Sequence, residues 1–485
     1  MALQKQFIAN ASVEARGIPA LIGMLAALCV LAASLRAEQP NIVLVYADDQ
    51  ASWSIGALGN SQARTPNIDR LYSEGVALTN AFTTTPVCSP SRAGLLTSRY
   101  GSEIGITDYL NSTQEPDKGL DPELPTWPKL LQAAGYATGF VGKWHVGSRD
   151  SHLPTNNGYD MFYGFRSGAG ISKDPEVESR GAVRVVPGYT PDVLTDEAIR
   201  FMREASGRGP FLLSLHFWAP HANTSNRTPD GDRTWLPLSE ADWSPFRRLD
   251  VALPEPGYPG LDAPRARRML AEYLGSVASL DRNVGRMLAV LDELDIASET
   301  VVIFTSDHGF NMGHNGIWHK GNGRWLLTEN RGFRSNMYDN SIRVPAVVRW
   351  PGRLAAGIVV DRVVLNLDWF PTILAMSGLE VPGDAVVRGE SFLPLLEGRT
   401  IPWRTSFYGE YLQLHQEQVE QRMWRTPEWK LVRDSRPGKD ELYRLAEDPG
   451  EHVNLIEDTR LEVARVLASL DRDLRERIDQ IASGS

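Results

Sequence analysis

The sequence predicts an α/β fold built on a mostly parallel central sheet. Three apolar runs each end in polar, ionisable residues: "IVLVYADD" (42–49), "FLLSLHFWAPH" (211–221) and "TVVIFTSDHG" (300–309). Near-continuous apolar runs of this kind are typical of strands buried on both faces. Residues 266–294 carry apolar side chains about every 3.6 positions, which indicates an amphipathic helix. Strands that alternate with helices predict a parallel sheet covered by helices.

A weaker strand-like run, "YATGFVGKWHVG" (136–147), adds a fourth polar end. Lys143 and His145 alternate within it, so on a continuous strand both would face the same side. Ligands of open parallel sheets bind beyond the carboxyl ends of the strands. We therefore expect the four polar ends to meet at one site.

The chain organisation beyond this sheet is predicted from changes in pattern. Residues 223–264 and 311–341 lack periodicity and are interpreted as long loops, which are often functional. After about Val387, short strand-like pieces are followed by an amphipathic helix at 460–481. The resulting division is a signal peptide at 1–37, a catalytic α/β domain at 38–386 and a smaller C-terminal α+β subdomain at 387–485.

The N-terminus carries an uncharged apolar run at 19–34, preceded by Lys5 and Arg16. This run favours a signal peptide cleaved near Ala37, and the alternative is an uncleaved anchor. Cleavage predicts a periplasmic or secreted protein with no stable membrane partner. The net charge of −10 over 485 residues argues against a general nucleic-acid binder.

Acidic strand ends predict a divalent-metal site. Asp48 and Asp49 are adjacent, and Asp307 and His308 end another strand. Ionised neighbouring carboxylates need a compensating cation, and their oxygens suit Ca²⁺ or Mg²⁺. The alternative is that the aspartate pair caps a helix or is solvated in a loop.

Basic residues near the same strand ends predict an anionic substrate. A pocket with a divalent cation and several cationic groups suits a phosphate or sulfate ester, whose oxygens need clamping. Taken singly, each lysine or histidine of this group is better explained as an ordinary surface or loop residue, and only their joint placement favours the pocket. The basic residues are Arg92, Lys143, His145, His221 and Lys320.

Cys88 would be the only cysteine left once the segment holding Cys29 is removed. It stands at the start of a helical pattern, where backbone N–H groups favour an anion, and Arg92 lies about one turn further on. An unmodified cysteine there would be an activated thiolate. A buried, inert cysteine is the alternative.

Several stretches resemble the type I sulfatases, in family order. "CSPSRAGLLTSRY" is similar to the signature whose Cys-x-Pro-x-Arg core directs oxidation of the cysteine to formylglycine. The resemblance extends from about Asn41 to Leu455. It implies an alkaline-phosphatase-like fold, a maturation enzyme that generates formylglycine at Cys88, and hydrolysis of sulfate esters by a formylglycine diol on the metal. The other similar stretches are "NIVLVYADDQ", "TPNIDRLYSEGVALTNAF", "GYATGFVGKWHVG", "FWAPH", "VVIFTSDHGFNMGHNGIWHK", "MYDNSIRVPAVVRWPG" and "ELYRLAEDPGEHVNL".

The resemblance also implies residue roles. The Ca²⁺ ligands, with Mg²⁺ as the alternative ion, would be formylglycine 88 together with Asp48, Asp49, Asp307 and His308. Many relatives carry Asn at the last position.

The implied catalytic and substrate-binding roles involve six residues. Formylglycine formed at Cys88 would be the nucleophile, and Arg92 would hold it. Lys143 and Lys320 would bind the sulfate oxygens. His145 would bind or orient the formylglycine hydroxyl, and His221 would assist the departure of the alcohol.

Two departures from the family pattern stand out. Ser98 occupies a position where relatives usually have Gly. Sixteen residues, 321–336, separate Lys320 from "MYDNS", so Arg334 rivals Lys320 as the second cation that binds sulfate.

The predicted function is an exported sulfatase that acts on a sulfate ester, with a sulfated carbohydrate as the favoured partner. Trp53, Arg324, Trp325 and Arg334 are candidates for a sugar-binding cleft, or else ordinary loop residues. The alternatives are a phosphonate monoester or phosphodiester hydrolase, a small alkyl or aryl sulfatase, and a non-catalytic glycan binder.

Overall fold

The computed structural model describes residues 39–483, so the predicted signal peptide lies outside the described residues. None of the helices in this range is both long and apolar enough to cross a bilayer. The strands, in chain order, are β1 (Asn41–Ala47), β2 (Val76–Leu78), β3 (Ala81–Phe82), β4 (Ala137–Lys143), β5 (Met161–Phe165), β6 (Glu176–Ser179), β7 (Ala182–Val185), β8 (Phe211–His216), β9 (Thr300–Ser306), β10 (Asn311–Met312), β11 (Ile317–His319), β12 (Asn322–Trp325), β13 (Phe333–Ser335), β14 (Ala346–Arg349), β15 (Ile358–Val360), β16 (Val364–Leu365), β17 (Phe407–Gln413), β18 (Val419–Arg425), β19 (Lys430–Asp434) and β20 (Glu441–Tyr443).

The α-helices of the same range cover the sheet and connect its strands. They are α1 (Pro66–Glu74), α2 (Cys88–Thr97), α3 (Gly101–Ile104), α4 (Trp127–Ala133), α5 (Thr190–Ala205), α6 (Glu240–Trp243), α7 (Ala263–Glu293), α8 (Asp339–Ile342), α9 (Trp369–Met376), α10 (Leu393–Leu396) and α11 (Leu461–Ser483).

The central sheet has ten strands in the order β15-β2-β14-β9-β1-β8-β4-β5-β6-β7. The middle strands β9, β1, β8, β4 and β5 are parallel, whereas β14, β6 and β7 pair antiparallel with their neighbours. The predicted mostly parallel sheet is therefore confirmed, and the four apolar runs that predicted it are β1, β4, β8 and β9.

Strand β1 shows why the predicted runs are apolar throughout. Its alternate side chains Ile42 and Leu44 pack into the hydrophobic core on one face, while Val43 and Val45 pack into the core on the other. All four are fully buried. A strand with helices on both faces has no polar side, so period-two alternation is lost.

Helix α7 (Ala263–Glu293) agrees with the predicted amphipathic helix. The Asp262 side chain accepts a hydrogen bond from the Arg265 backbone N–H, and Pro264 stands in the first turn, where it costs no helical hydrogen bond. The helix packs against α1 and α5 on one face of the sheet. It is preceded by the long excursion of residues 223–262, in which only the short α6 is helical.

The prediction that residues 311–341 form an irregular loop is wrong. This segment contains a four-stranded antiparallel sheet, β10-β11-β12-β13, followed by the short helix α8. Each strand is only two to four residues long, too short for a period-two pattern to be visible in the sequence. This small sheet places Lys320 in the turn between β11 and β12.

The C-terminal part contains the predicted strands and helix around a second antiparallel sheet, β17-β18-β19-β20. Strand β18 was not predicted, because its charged outward residues hide the buried Met423. Leu393, Leu395 and Leu396 of α10 belong to the core of the central sheet. The C-terminal sheet β17-β18-β19-β20 begins at Phe407, and the predicted domain boundary at 386/387 stays a prediction.

Helix α2 (Cys88–Thr97) is buried along its whole length and ends at Ser98. Ser98 has φ of 58°, a left-handed conformation that favours Gly at this cap position. Its hydroxyl donates to the Leu367 carbonyl (2.7 Å) and accepts from the Gly389 N–H (2.8 Å). These two hydrogen bonds give a physical reason for a serine where glycine is usual.

Candidate active site

The polar strand ends meet beyond the carboxyl edge of the central sheet. Asp48 and Asp49 follow β1, Asp307 and His308 follow β9, and all four are buried. Cys88, the first residue of α2, points into the same place, with its Sγ 3.6 Å from Asp48 Oδ1 and 3.4 Å from His308 Nε2. Chain segments more than 200 residues apart therefore form one site.

Four of these residues form a cluster with the donor atoms of a metal site. One donor atom from each of Asp48, Asp49, Cys88 and His308 lies within 4.8 Å of all the others. The Nδ1 of His308 faces the Gly309 carbonyl at 2.9 Å, and since a carbonyl can only accept, the free Nε2 lone pair points into the cluster. The buried Asp49 Oδ2 has no hydrogen-bond partner. The donor set therefore fits a divalent cation.

Asp307 stands beside this cluster. Its Oδ1 accepts the Asp49 backbone N–H at 3.2 Å and lies 3.3 Å from His308 Nε2. Its Oδ2 accepts from Arg92 Nε at 3.0 Å. The predicted fifth ligand thus lies next to the other donors, and its second oxygen is held by the arginine.

Two lysines neutralise the carboxylates and contact the cysteine. Lys143 Nζ donates to Asp48 Oδ2 (2.5 Å), and Lys320 Nζ donates to Asp49 Oδ1 (2.6 Å). The same ammonium groups lie 3.5 Å and 2.9 Å from Cys88 Sγ. Burial alone would raise the pKa of both aspartates, but the cations hold each pKa below its usual value: chiefly Lys143 for Asp48, and Lys320 for Asp49. Both carboxylates are therefore ionised at neutral pH.

Arg92 is completely enclosed and fixed on several sides. Its Nη1 donates to the Lys143 carbonyl (2.8 Å) and lies 3.2 Å from His216 Nδ1, while its guanidinium lies over the Tyr46 ring at 5.2 Å. Sequence reasoning missed His216 and Tyr46 as supporting residues. Both stand at the ends of predicted strands, so their position was a usable signal.

Two further histidines line the site in neutral form. His145 has φ of 59° and lies beyond the end of β4, so it does not share a continuous strand with Lys143 as the sequence predicted. Its Nε2 faces the Leu110 carbonyl (3.1 Å), which leaves its Nδ1 as a free acceptor. His221 Nδ1 faces the Ala222 carbonyl (2.7 Å), and Nε2 lies 3.8 Å from Asp49 Oδ2. Burial lowers the pKa of both rings, that of His221 to about 3.

The hairpin β12–β13 separates the two rival cations. Residues 321–336 form most of this hairpin, in which Gly323 pairs with Arg334. The Asn336 side chain donates to the Lys320 carbonyl at 2.9 Å and fixes the turn that carries the lysine. Arg334 instead pairs with Glu441 and donates to the Tyr338 hydroxyl at 2.9 Å. Lys320 is therefore in the site, and Arg334 is outside it.

A cavity of about 290 Å³ opens onto Cys88. A larger one, of about 640 Å³, is lined by Trp53, Asp339, Arg343 and Arg425 among others. It holds none of the strand-end, cysteine or lysine residues described above, so the smaller cavity is the candidate active site. Trp53 and Trp325 do not line the smaller cavity, and Arg324 lies close to its wall residue Tyr109. The residues that line it include Cys88, Tyr109, Asn111, Ser112, Thr113, Lys143, His145, His221, Arg233, His319, Lys320, Asn322 and Gln416.

Comparisons with known proteins agree with this geometry. A family model described as "Sulfatase" matches residues 40–379, and one described as "N-sulphoglucosamine sulphohydrolase, C-terminal" matches residues 331–480. The chain is 32% identical to the steryl-sulfatase of Mus musculus over 431 residues, which cover 74% of this chain and 65% of that protein. It is 27% identical to the N-acetylglucosamine-6-O-sulfatase of Bacteroides thetaiotaomicron over 491 residues, covering 86% and 83%.

Among solved structures, one determined in complex with its substrate D-glucosamine-2-N,6-O-disulfate superposes with a TM-score of 0.77 at 24% identity. The superposition covers 92% of this chain and 98% of that one. The family model and the two similar enzymes, together with the fold and the site, therefore define a hydrolase of sulfuric esters. The chain belongs to the sulfatase family, within the alkaline-phosphatase-like superfamily, as its resemblance predicted.

Proposed function

We propose that this sulfatase is exported and removes sulfate from a sulfated carbohydrate, with formylglycine formed from Cys88 as its nucleophile and Ca²⁺ as its metal. The observation that carries this proposal is the position of Cys88. It lies at the start of a buried helix, among two carboxylates, an imidazole and two ammonium groups. A structural cysteine has no need of these charges, whereas a group that attacks an anionic ester requires them.

The residues present fit the implied metal. Asp48, Asp49 and His308 would hold it together with the side chain at position 88, and Asp307 stands next to them. With a formylglycine oxygen in place of the Cys88 sulfur, and with Asp307 added, the donors would be mainly oxygens, which suits Ca²⁺ better than a softer ion. Hydrated formylglycine supplies the nucleophilic oxygen when it is present, and a divalent cation lowers the cost of ionising that oxygen.

The chain's own residues would bind the sulfate group and move protons. Lys143 and Lys320, which flank Cys88, would bind the sulfate oxygens. The free Nδ1 of His145 would accept a hydrogen bond from a hydroxyl at position 88. Arg92 would keep Asp307 and the start of α2 in place through its buried contacts.

His221 would assist the departing alcohol. Its Nε2 carries no proton when Nδ1 donates to Ala222, because burial favours the neutral ring. It would take up a proton from solvent when the anionic ester binds beside it, and would donate that proton to the leaving oxygen as negative charge develops there. A neutral His221 in the free enzyme is consistent with that sequence of events.

The cavity lining favours a sugar over a sterol. Of the two similar enzymes above, one is named for a steryl substrate and the other for an amino sugar. Here the wall contains the polar side chains of Asn111, Thr113, Arg233, Asn322 and Gln416. These groups can hydrogen-bond to sugar hydroxyls, whereas a sterol would leave them buried and unpaired, which is costly.

Desulfation of a panel of sulfated mono- and polysaccharides, nitrophenyl sulfate and a nitrophenyl phosphonate ester tests the proposed activity. We expect the highest kcat/KM on a sulfated sugar, and mass spectrometry should find the Cys88 peptide lighter than its thiol form. A preference for the phosphonate ester would contradict sulfate-ester hydrolysis as the reaction. Turnover of aryl sulfates alone would contradict a sugar as the substrate. An unmodified Cys88 in fully active protein from the native host would contradict formylglycine as the nucleophile.

Export is tested separately. The proposal rests on the apolar run at 19–34, and we expect the mature protein outside the cytoplasm with its N-terminus near residue 38. N-terminal sequencing of protein from fractionated cells measures both. Recovery of a full-length chain from the cytoplasm would contradict it.

A further inference from the structure

Arg233 is an arginine of the active-site cavity without an acidic partner. It lines the cavity wall, is partly buried and forms an ion pair with no carboxylate in residues 39–483. Its neighbour Asp232 does not compensate it, because the Asp232 carboxylate pairs with Arg265 (2.7 Å) and Arg268 (3.1 Å) instead.

Two more arginines surround Arg233. Arg227 faces it directly across an isolated antiparallel bridge, a position in which like charges are destabilising. Arg227 Nη1 donates only to main-chain carbonyls, those of Asn223 (3.3 Å) and Asn226 (2.9 Å). Arg324 is held by stacking over the Phe333 ring, at 4.5 Å. The three guanidinium groups form the arginine cluster (Arg227, Arg233 and Arg324).

The arginine cluster carries positive charge that its surroundings compensate only in part, since Asp49 and Tyr109 offset some but not all of the repulsion on Arg233. Burial, and then the neighbouring Arg227 and Arg324, lower the pKa of Arg233, the opposite of what an ion pair does to an arginine. Burial likewise lowers the pKa of Arg324, with a further contribution from Arg227. Retaining such charges beside a cavity, in a chain of net charge −10, is costly unless an anion binds there.

Arg233 is not part of the pair of lysines that contacts Cys88. Lys143 and Lys320 contact both Cys88 and the carboxylates, whereas Arg233 makes no hydrogen bond to any of them. Arg233 and Cys88 line the same cavity of about 290 Å³, which is close to the lower size of small-molecule sites. One sugar unit could therefore present one anionic group to each.

We infer that the substrate carries a second anionic group, a sulfate or a carboxylate, which Arg233 binds with support from Arg227 and Arg324. The planar guanidinium forms paired hydrogen bonds with either group. This inference rests on the proposed function and narrows the substrate to a doubly anionic sugar. Tyr109 and Gln416, which share the cavity wall, would contact its neutral hydroxyls.

The test compares two kcat/KM ratios in wild-type enzyme and in Arg233→Met. The first is for a disulfated over a monosulfated form of one monosaccharide. The second is for a monosulfated uronate disaccharide over its carboxyl-reduced counterpart. We expect one ratio to be at least about tenfold in the wild type, to fall toward 1 in Arg233→Met and to recover in part in Arg233→Lys, as for a lost charge-assisted contact.

The ratio that falls identifies the second group as sulfate or carboxylate. Arg208→Met is the matched control, since it removes an exposed positive charge remote from the cavity wall, and both ratios should stay at the wild-type values. Wild-type ratios near 1 for both pairs, with sulfate still released, would overturn this inference and leave the proposed function standing. Absence of release from every sulfate ester, including nitrophenyl sulfate, would overturn both.

Discussion

Two buried charge clusters show how differently this molecule uses ionised side chains. The active-site cluster (Asp48, Asp49, Cys88, Lys143 and Lys320) lies beyond the central sheet. The interface cluster (Asp339, Arg425, Lys430 and Glu451) lies between the C-terminal sheet β17-β18-β19-β20 and helix α8. Both place lysines beside carboxylates away from solvent.

The clusters differ in how completely their polar atoms are paired. In the interface cluster, the three donors of Lys430 Nζ are matched by Asp339 Oδ1 (2.5 Å), Glu451 Oε1 (2.6 Å) and the Met337 carbonyl (3.0 Å). In the active-site cluster, Asp49 Oδ2 has no hydrogen-bond partner, and Lys320 opens onto a cavity. Complete pairing indicates a structural role, and incomplete pairing beside a cavity indicates a place for a ligand.

The substitution Cys88→Ala distinguishes the roles of the two clusters most clearly. We expect kcat/KM to fall more than about 10³-fold, because the nucleophile is lost, while the free energy of unfolding changes little. Steady-state kinetics and urea unfolding measure the two effects. Activity close to wild type would exclude position 88 as the nucleophile. Cys88→Ser, whose single hydroxyl cannot expel sulfate as a diol can, should also lose steady-state turnover.

Lys430→Met should produce the reverse result. It leaves Asp339 and Glu451 buried with fewer partners, so we expect a loss of about 3–5 kcal/mol in the free energy of unfolding. Activity per folded molecule should stay within about twofold, since Lys430 does not line the active-site cavity. Arg200→Met, in an exposed ion pair, is the control and should cost less than about 1 kcal/mol. Equal stability losses in both variants would argue against a structural role for the interface cluster.

Replacing Lys320 or Arg334 with Met assigns the second sulfate-binding cation. Lys320→Met should lower kcat/KM about 10²-fold or more, as expected for loss of one group that stabilises developing charge. Arg334→Met should leave kcat/KM within about threefold and lower the Tm, because Glu441 is left buried without its partner. The opposite pattern in the kinetics would transfer the sulfate-binding role to Arg334.

Added Ca²⁺ should stabilise the folded protein, since the metal-binding donors are assembled only by folding. At 100 times the Kd, we expect a gain of about 2.7 kcal/mol in the free energy of unfolding. Asp49→Asn should abolish this gain, and Asp250→Asn, whose carboxylate is exposed, should not. Thermal unfolding with Ca²⁺, Mg²⁺ or a chelator makes the measurement. A rise in the Tm with Mg²⁺ but not with Ca²⁺ would identify Mg²⁺ as the bound ion.

The smallest effect concerns a half-exposed pair near the interface cluster. The hydrogen bond to Glu255 raises the pKa of His452 above 6.5 in the folded protein, with a further contribution from Asp448. The resulting stability is fully present below about pH 6.5 and is lost as the pH rises through the higher folded-state pKa. Because solvent screens the pair, we expect less than about 0.5 kcal/mol. His452→Gln should remove this pH dependence, and an unchanged profile would contradict it.

Local sequence patterns were sufficient to predict the centre of the fold. Strands β1, β4, β8 and β9 are apolar because both faces are buried, and the polar residues at their ends follow directly in the chain. Convergence of those ends follows from parallel pairing, so most of the candidate site could be predicted. The place of Cys88 at the start of a helix was likewise visible in the sequence.

Other features depend on contacts between distant segments and left no local signal. The hairpin β12–β13 decides between Lys320 and Arg334, yet its strands are too short to show a period. His145 departs from the predicted strand at a positive φ that the sequence did not indicate.

The sequence by itself determined the family, the parallel sheet and the candidate site residues, because each depends on a run of adjacent residues or a short motif. Only the tertiary structure decided which charges are paired and which are left free. No local pattern indicated Arg227 or Arg233, and Arg324 was a candidate only for a sugar-binding cleft. Folding places Arg233 on the cavity wall opposite Arg227 and directs Asp232 elsewhere. Pairing depends on distances across the fold, and these are set by packing rather than by neighbours in the chain.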